Sequence, residues 1–212
     1  TPSLLFARIS APATLAKLPA GFWDSVHFFW GDERNVASDH PESNYRLARE
    51  ALLRKIDMPD VNIHPICSDP GPASMIAARY ESELKRFFGL GSGEVPRFDL
   101  IFLGMGEDGH TASLFPDSDA LSEKTSLVAA PWIEKLKSYR ITLTLPVINN
   151  ARCVVFLIQG SSKAAAVCRV MAPNPDMEPL PAQAVQPHAG ELIWLMDKSA
   201  AAGLDNGLKE TT

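Results

Sequence analysis

Phe98-Asp99-Leu100-Ile101-Phe102-Leu103-Gly104-Met105-Gly106-Glu107-Asp108-Gly109-His110 is the stretch on which the fold turns. Its apolar first half predicts a strand over 98–103, and the strand runs directly into glycines and charge. A buried strand that stops at a polar, glycine-containing loop is the usual way an α/β sheet presents a ligand site beyond the carboxyl ends of its strands.

The same alternation recurs on both sides. Residues 26–30 (Val-His-Phe-Phe-Trp), 62–66, 126–130, 140–145, 153–158 and 192–196 predict further strands. Helices are predicted over 43–56, over 72–88 with Pro72 in the first turn, after Lys163, and over 198–204. Five prolines between 173 and 187 predict irregular chain there. Near-continuous apolar strands separated by helices imply an α/β fold with a mainly parallel sheet and helices on both faces. No internal repeat interrupts the pattern, so residues 1–212 are expected to form a single domain.

Composition narrows the function. The 212 residues are 46% hydrophobic, enough for a substantial core. A net charge of −5 argues against non-specific nucleic-acid or anionic-membrane binding but leaves an anionic small substrate open. No apolar run approaches the roughly 20 residues needed to cross a bilayer, and the opening residues lack a secretory pattern. The cysteines Cys67, Cys153 and Cys168 are odd in number and none pair at C-x-x-C spacing, so buried thiols in a reducing cytoplasm are expected.

Three polar segments fall at predicted strand ends. In the 104–110 loop, Gly104, Gly106 and Gly109 permit close backbone approach and positive φ, while Asp108 stands two residues from His110 and can bias its tautomer and basicity. The plainer alternative is a glycine turn with Asp108 capping a following helix. In Gly31-Asp32-Glu33-Arg34, either a surface ion pair or an arginine held by a carboxylate and aimed at an anion fits the pattern. In Gly160-Ser161-Ser162-Lys163, a helix start and a lysine suit an anion, and a serine cap with a solvent-facing lysine is the alternative. Arg140 opens the strand over 140–145 and is either a further cation of the site or a surface arginine.

Other chemistry is not indicated. There is no Gly-x-Ser-x-Gly elbow, no His-Glu-x-x-His and no Cys/His cluster at zinc spacing, so no metal is expected. His27 alternates into an apolar strand, His40 precedes a proline, and His64 and His188 lie beside prolines without a carboxylate that spacing would place. The four tryptophans suit core or site walls better than a nucleic-acid stacking platform.

Phe29-Trp30-Gly31-Asp32-Glu33-Arg34, Ser43-Asn44-Tyr45, the run from Gly104 to Pro116, Arg140-x-Thr142, Gly160-x-x-Lys163 and Trp194-x-x-Asp197 together resemble the 6-phosphogluconolactonase family, over residues 1 to about 204. The resemblance implies a Rossmann-like fold shared with glucosamine-6-phosphate deaminases. It also implies hydrolysis of 6-phosphoglucono-δ-lactone to 6-phosphogluconate in the oxidative pentose phosphate pathway, without a cofactor. His110 matches the catalytic histidine, with Asp108 beside it; Arg34, Arg140 and Lys163 match residues that hold the phosphate or line the substrate. Asp32 and the three loop glycines fall in the matching motifs. Family members usually carry a first strand and helix and then a Ser-Gly-Gly-Ser-Thr-Pro loop. Thr1-Pro2 resembles the tail of that loop, so Thr1 is a candidate phosphate contact, and the first strand and helix are expected to be missing.

These matches lead to the expectation that neutral His110 deprotonates water, that backbone N–H groups of the 104–109 loop stabilise the oxyanion, and that His110 then protonates the ring oxygen. A cytoplasmic monomer or weak homodimer acting on a sugar-phosphate lactone is expected. The rivals are a deaminase-like enzyme, against which Arg34 and Ser113-Leu114-Phe115-Pro116 speak, and a non-catalytic sugar-phosphate-binding protein.

Overall fold

The computed structural model describes residues 2–67 and 71–204. Two short helices, α1 (Pro2–Ile9) and α2 (Pro12–Leu15), precede β1 (Phe28–Phe29), β2 (Asp32–Arg34), α3 (Asn44–Ala51), β3 (Ile63–His64), α4 (Ala73–Phe88) and β4 (Ile101–Leu103). Then follow β5 (Val128–Ala129), β6 (Trp132–Ile133), β7 (Ser138–Leu143), α5 (Leu145–Ile148), β8 (Cys153–Ile158), α6 (Ala164–Met171) and β9 (Glu191–Met196).

The α/β expectation holds, with mainly parallel sheets. β1 pairs with β3 in parallel, and β4, β8 and β9 form a parallel sheet in that order. The apolar run 153–158 predicted its strand to the residue, because a strand flanked on both sides has no polar face to interrupt it. Leu103, Phe156 and Trp194 lie side by side across the three strands, and the rings of Phe156 and Trp194 stack at 4.0 Å. Leu100, Phe102, Ile193 and Leu195, by contrast, remain 38–53% exposed.

One sheet departs from the parallel expectation. β7 pairs antiparallel with β2, β5 and β6. Residues 32–34 were expected as a polar loop at a strand end, yet Asp-Glu-Arg forms β2, because β7 supplies the ladder that hydrophobic patterning could not announce.

The helices follow their sequence signals more closely. Ala73, Ile76, Ala77, Tyr80 and Leu84 of α4 are buried at helical spacing, and Gly89 ends the helix in the left-handed region at φ 63°. Tyr80 fastens α4 to the end of β1: its hydroxyl accepts from the Trp30 amide at 2.9 Å and donates to the Trp30 carbonyl at 3.0 Å. Ser43 caps α3 by accepting from the Arg46 amide. That helix stops at Ala51, with a separate 3-10 turn at Leu53–Lys55, so the expected helix over 43–56 is broken. The helix expected over 198–204 is a series of turns instead. Asp197 draws the Ala200 amide to its side chain at 2.7 Å and the Ala201 amide to its carbonyl at 3.0 Å, which closes one turn.

The thiols also differ from expectation: Cys67 is exposed, and Cys153 and Cys168 are only partly buried. Among the described residues no helix is long and apolar enough to cross a membrane, and no group of His, Cys, Asp and Glu has a metal-binding arrangement.

Candidate active site

The loop after β4 folds back on itself. The Gly106 amide donates to the His110 carbonyl at 2.8 Å, the Gly109 amide to the Gly106 carbonyl at 3.1 Å, and the Thr111 hydroxyl to the Gly104 carbonyl at 2.8 Å. Gly109 alone of the three loop glycines takes a positive φ, 75°. No helix follows the loop; a tight turn carries Ala112 at φ 47° and closes with a Thr111–Leu114 bridge. The helix-capping alternative for Asp108 therefore fails.

Asp108 instead serves His110. Its Oδ1 lies 2.5 Å from the imidazole Nδ1 and 3.3 Å from the His110 amide, while Oδ2 lies 3.0 Å from Nζ of Lys135. Burial, the largest single influence, pushes the Asp108 carboxyl up, but the hydrogen bonds from His110 and Lys135 outweigh it and bring the pKa down to about 2. An ionised Asp108 makes Nδ1 the donor and leaves the lone pair on Nε2. The imidazole stacks on Phe115 at 4.0 Å with the planes 18° apart, and its side chain keeps 29% of its surface open. It is walled but reachable.

The β2–β7 ladder supplies the cations. Its register places Arg34 directly opposite Arg140 and Asp32 opposite Thr142. Cross-strand neighbours share a face, as do residues two apart on one strand, so Asp32, Arg34 and Arg140 lie together. Like charges directly opposite are destabilising unless something else balances them. Arg140 is held below the usual arginine range by burial first and by Arg34 second, with Asp32, Glu42 and Glu33 opposing. Its Nη1 donates to the Ser138 hydroxyl at 2.5 Å, and the Arg34 guanidinium donates to the Glu42 carbonyl.

Asp32 joins the two halves. It accepts from the Ser113 hydroxyl at 2.8 Å and from the Asn44 amide group at 3.2 Å. Burial pushes its carboxyl up; the Ser113 hydrogen bond and the charges of Arg34, Arg140 and His110 oppose this. Glu33 points the other way and is 1% exposed. Its two oxygens accept from the amides of Arg34, Asn44 and Tyr45, each at 2.8 Å, and from the Ser43 hydroxyl at 3.0 Å. A carboxylate so fully engaged locks the chain on both sides of the loop from Arg34 to the start of α3. Burial raises its pKa, against those four hydrogen bonds.

Lys163 approaches from the third segment. Gly160 turns at φ 97°, its amide donating to both carboxylate oxygens of Asp197 at 3.2 Å. Lys163 is part-buried, and its Nζ lies 3.9 Å from the Glu107 carboxylate of the histidine loop. The serine-cap alternative is not seen, since the 3-10 turn Ser161–Lys163 carries no side-chain cap. The structure thus couples Asp32 electrostatically to Arg34, Arg140 and His110, holds Asp108 on His110 inside the loop that carries Gly104, Gly106 and Gly109, and sets Lys163 beside that loop at Glu107. Thr1 lies outside the described residues. Ser113 and Glu33 lie within the motifs but had no assigned role, and Lys135 lies outside every motif; all three are parts of the arrangement.

Residues 1–194 match the family of glucosamine-6-phosphate isomerases and 6-phosphogluconolactonases. The chain belongs to this family. Within it, the 6-phosphogluconolactonase of Synechocystis is 45% identical over 204 residues, spanning 96% of this chain and 81% of the relative. The human 6-phosphogluconolactonase is 41% identical over 194 residues, spanning 91% and 70%. A solved structure of 6-phosphogluconolactonase from Trypanosoma brucei superposes with a TM-score of 0.83 at 32% identity, covering 96% of this chain and 82% of that one.

Proposed function

We propose that this chain hydrolyses 6-phosphogluconolactone to 6-phosphogluconate, with His110 as the general base and acid. Named lactonases at high identity over nearly the whole chain support the reaction. The observation that carries the site is the pairing of Arg34 with Arg140 across β2 and β7, within electrostatic reach, through Asp32, of His110. Two opposed guanidinium groups suit a dianionic phosphate at one end of a ligand, and the imidazole suits proton transfer at the other.

In this mechanism Nε2 of His110 takes a proton from water as the oxygen attacks the lactone carbonyl. The C=O electron pair moves to oxygen and gives a tetrahedral oxyanion. As that pair returns, the bond between the carbonyl carbon and the ring oxygen breaks, and the imidazolium returns its proton to the ring oxygen. The Gly106 and Gly109 amides are already engaged inside the loop, so the oxyanion is assigned to the other backbone amides of the 104–109 loop. Arg34, Arg140 and Lys163 grip the phosphate, and this remote binding energy positions the carbonyl. Thr1 is assigned to the same phosphate by family resemblance.

We further take residues 1–212 as one domain, monomeric or weakly dimeric, acting in the cytoplasm without cofactor or metal. The test is loss of the lactone at controlled pH, corrected for spontaneous hydrolysis. Acceleration over background supports the proposal. Binding without turnover, or ammonia release from glucosamine 6-phosphate in its place, overturns it.

A further inference from the structure

We infer that Lys135 is a positioning residue of the reaction, pinning the Asp108 carboxylate and offsetting its pull on the proton of His110. The inference rests on the assignment of His110 as the base.

Asp108 has two oxygens and uses each differently. Oδ1 faces the imidazole at 2.5 Å; Oδ2 faces Nζ of Lys135 at 3.0 Å. A carboxylate bonded to an imidazole raises its affinity for a proton, and a base that is already protonated cannot take one from water. An ammonium on the far oxygen draws the carboxylate charge the other way and also fixes its rotation. Lys135 thus widens the pH range over which Nε2 is free to act.

Lys135 comes from a strand hairpin. β6 and β7 pair through Trp132 with Tyr139 and Ile133 with Ser138, and Lys135 stands in the 3-10 turn Glu134–Leu136 between them. Its sequence neighbour Glu134 is occupied at the same tip, accepting from the Trp132 indole at 2.8 Å and from the Lys137 ammonium. The tip therefore directs Lys135, rather than Lys137, toward the histidine loop. β7 continues to Arg140, so one hairpin serves both ends of the ligand. The other charged groups facing the Asp108–His110 pair are Asp32, with Arg34 and Arg140 beside it, and Glu107, which neighbours Lys163. The Lys135 side chain is 70% exposed, so its contribution to folding is small. A structural role alone would leave the titration of His110 unmoved.

The test is Lys135→Met beside Lys135→Arg. The imidazole of His110 is titrated by NMR, and the acid limb of kcat/KM is measured on the same proteins. In Lys135→Met both should move up by about half to one pH unit, the size of one unit charge several ångströms away in a wet site. Lys135→Arg should restore the parent's values, and 1 M salt should shift the parent toward Lys135→Met. An unchanged NMR titration in Lys135→Met overturns the inference. Failure of the underlying assignment looks different: His110→Ala keeps its turnover while the NMR shift at His110 still follows the charge at position 135.

Discussion

A Cβ atom on Gly106 would fall 2.1 Å from Nδ1 of His110 and 2.7 Å from Oδ1 of Asp108. The missing side chain is the space into which the imidazole and its carboxylate partner fit. Gly106 is thus required for room, since its φ is not positive; Gly109 is required for conformation as well, at φ 75° with Leu180 2.8 Å from a would-be Cβ.

Gly106→Ala should displace the imidazole and lower kcat about 100-fold, the lower range for loss of acid–base catalysis, while thermal unfolding shifts little. Gly104, with nothing within 4 Å of its would-be Cβ, is the control: Gly104→Ala should fold normally and affect KM more than kcat. Equal kcat in Gly106→Ala and the parent would contradict the geometry.

The Asp108 carboxyl titrates at about 2 in the fold against an ordinary 3.8. A depressed carboxyl pKa adds stability above the unfolded value, and that stability is lost as pH falls through the folded one. With a discount for solvent screening, the pair contributes about 1 kcal/mol at neutral pH. Asp108→Asn should therefore be less stable at pH 7 by that amount and should lose the parent's extra acid sensitivity between pH 4 and 2. Chemical denaturation across that range measures both.

Lys163→Ala should raise KM about tenfold, the loss of one charge-assisted contact to phosphate, with kcat within a factor of about two to three of the parent. Steady-state kinetics against inorganic phosphate as competitor separates the two constants. An unchanged KM would return Lys163 to the role of a helix-start lysine beside Glu107.

Much of this was legible in the sequence, for identifiable reasons. Residues 153–158 announced β8 because a strand buried on both faces is written as unbroken apolar residues. Asp108 and His110 were legible as a pair because two residues of spacing suffice to bring them together. β2 was not, since Asp-Glu-Arg has no hydrophobic period and becomes a strand only when β7 lies beside it. Glu33 reads as one more surface charge until Ser43, Asn44 and Tyr45 fold over it. The contact between Asp108 and Lys135 spans 27 positions and depends on a hairpin tip, which no local pattern encodes. His64 likewise gained a carboxylate that spacing could not place: Glu83 on α4 lies 2.8 Å from its Nδ1, and His27 lies 3.0 Å from its Nε2.

The central claim is that the imidazole of His110 moves the proton, and single-site kinetics test it most directly. With spontaneous lactone opening subtracted, His110→Ala should lose about 10²- to 10⁴-fold in kcat while KM stays near the parent's. A kcat within a few-fold of the parent would contradict the account.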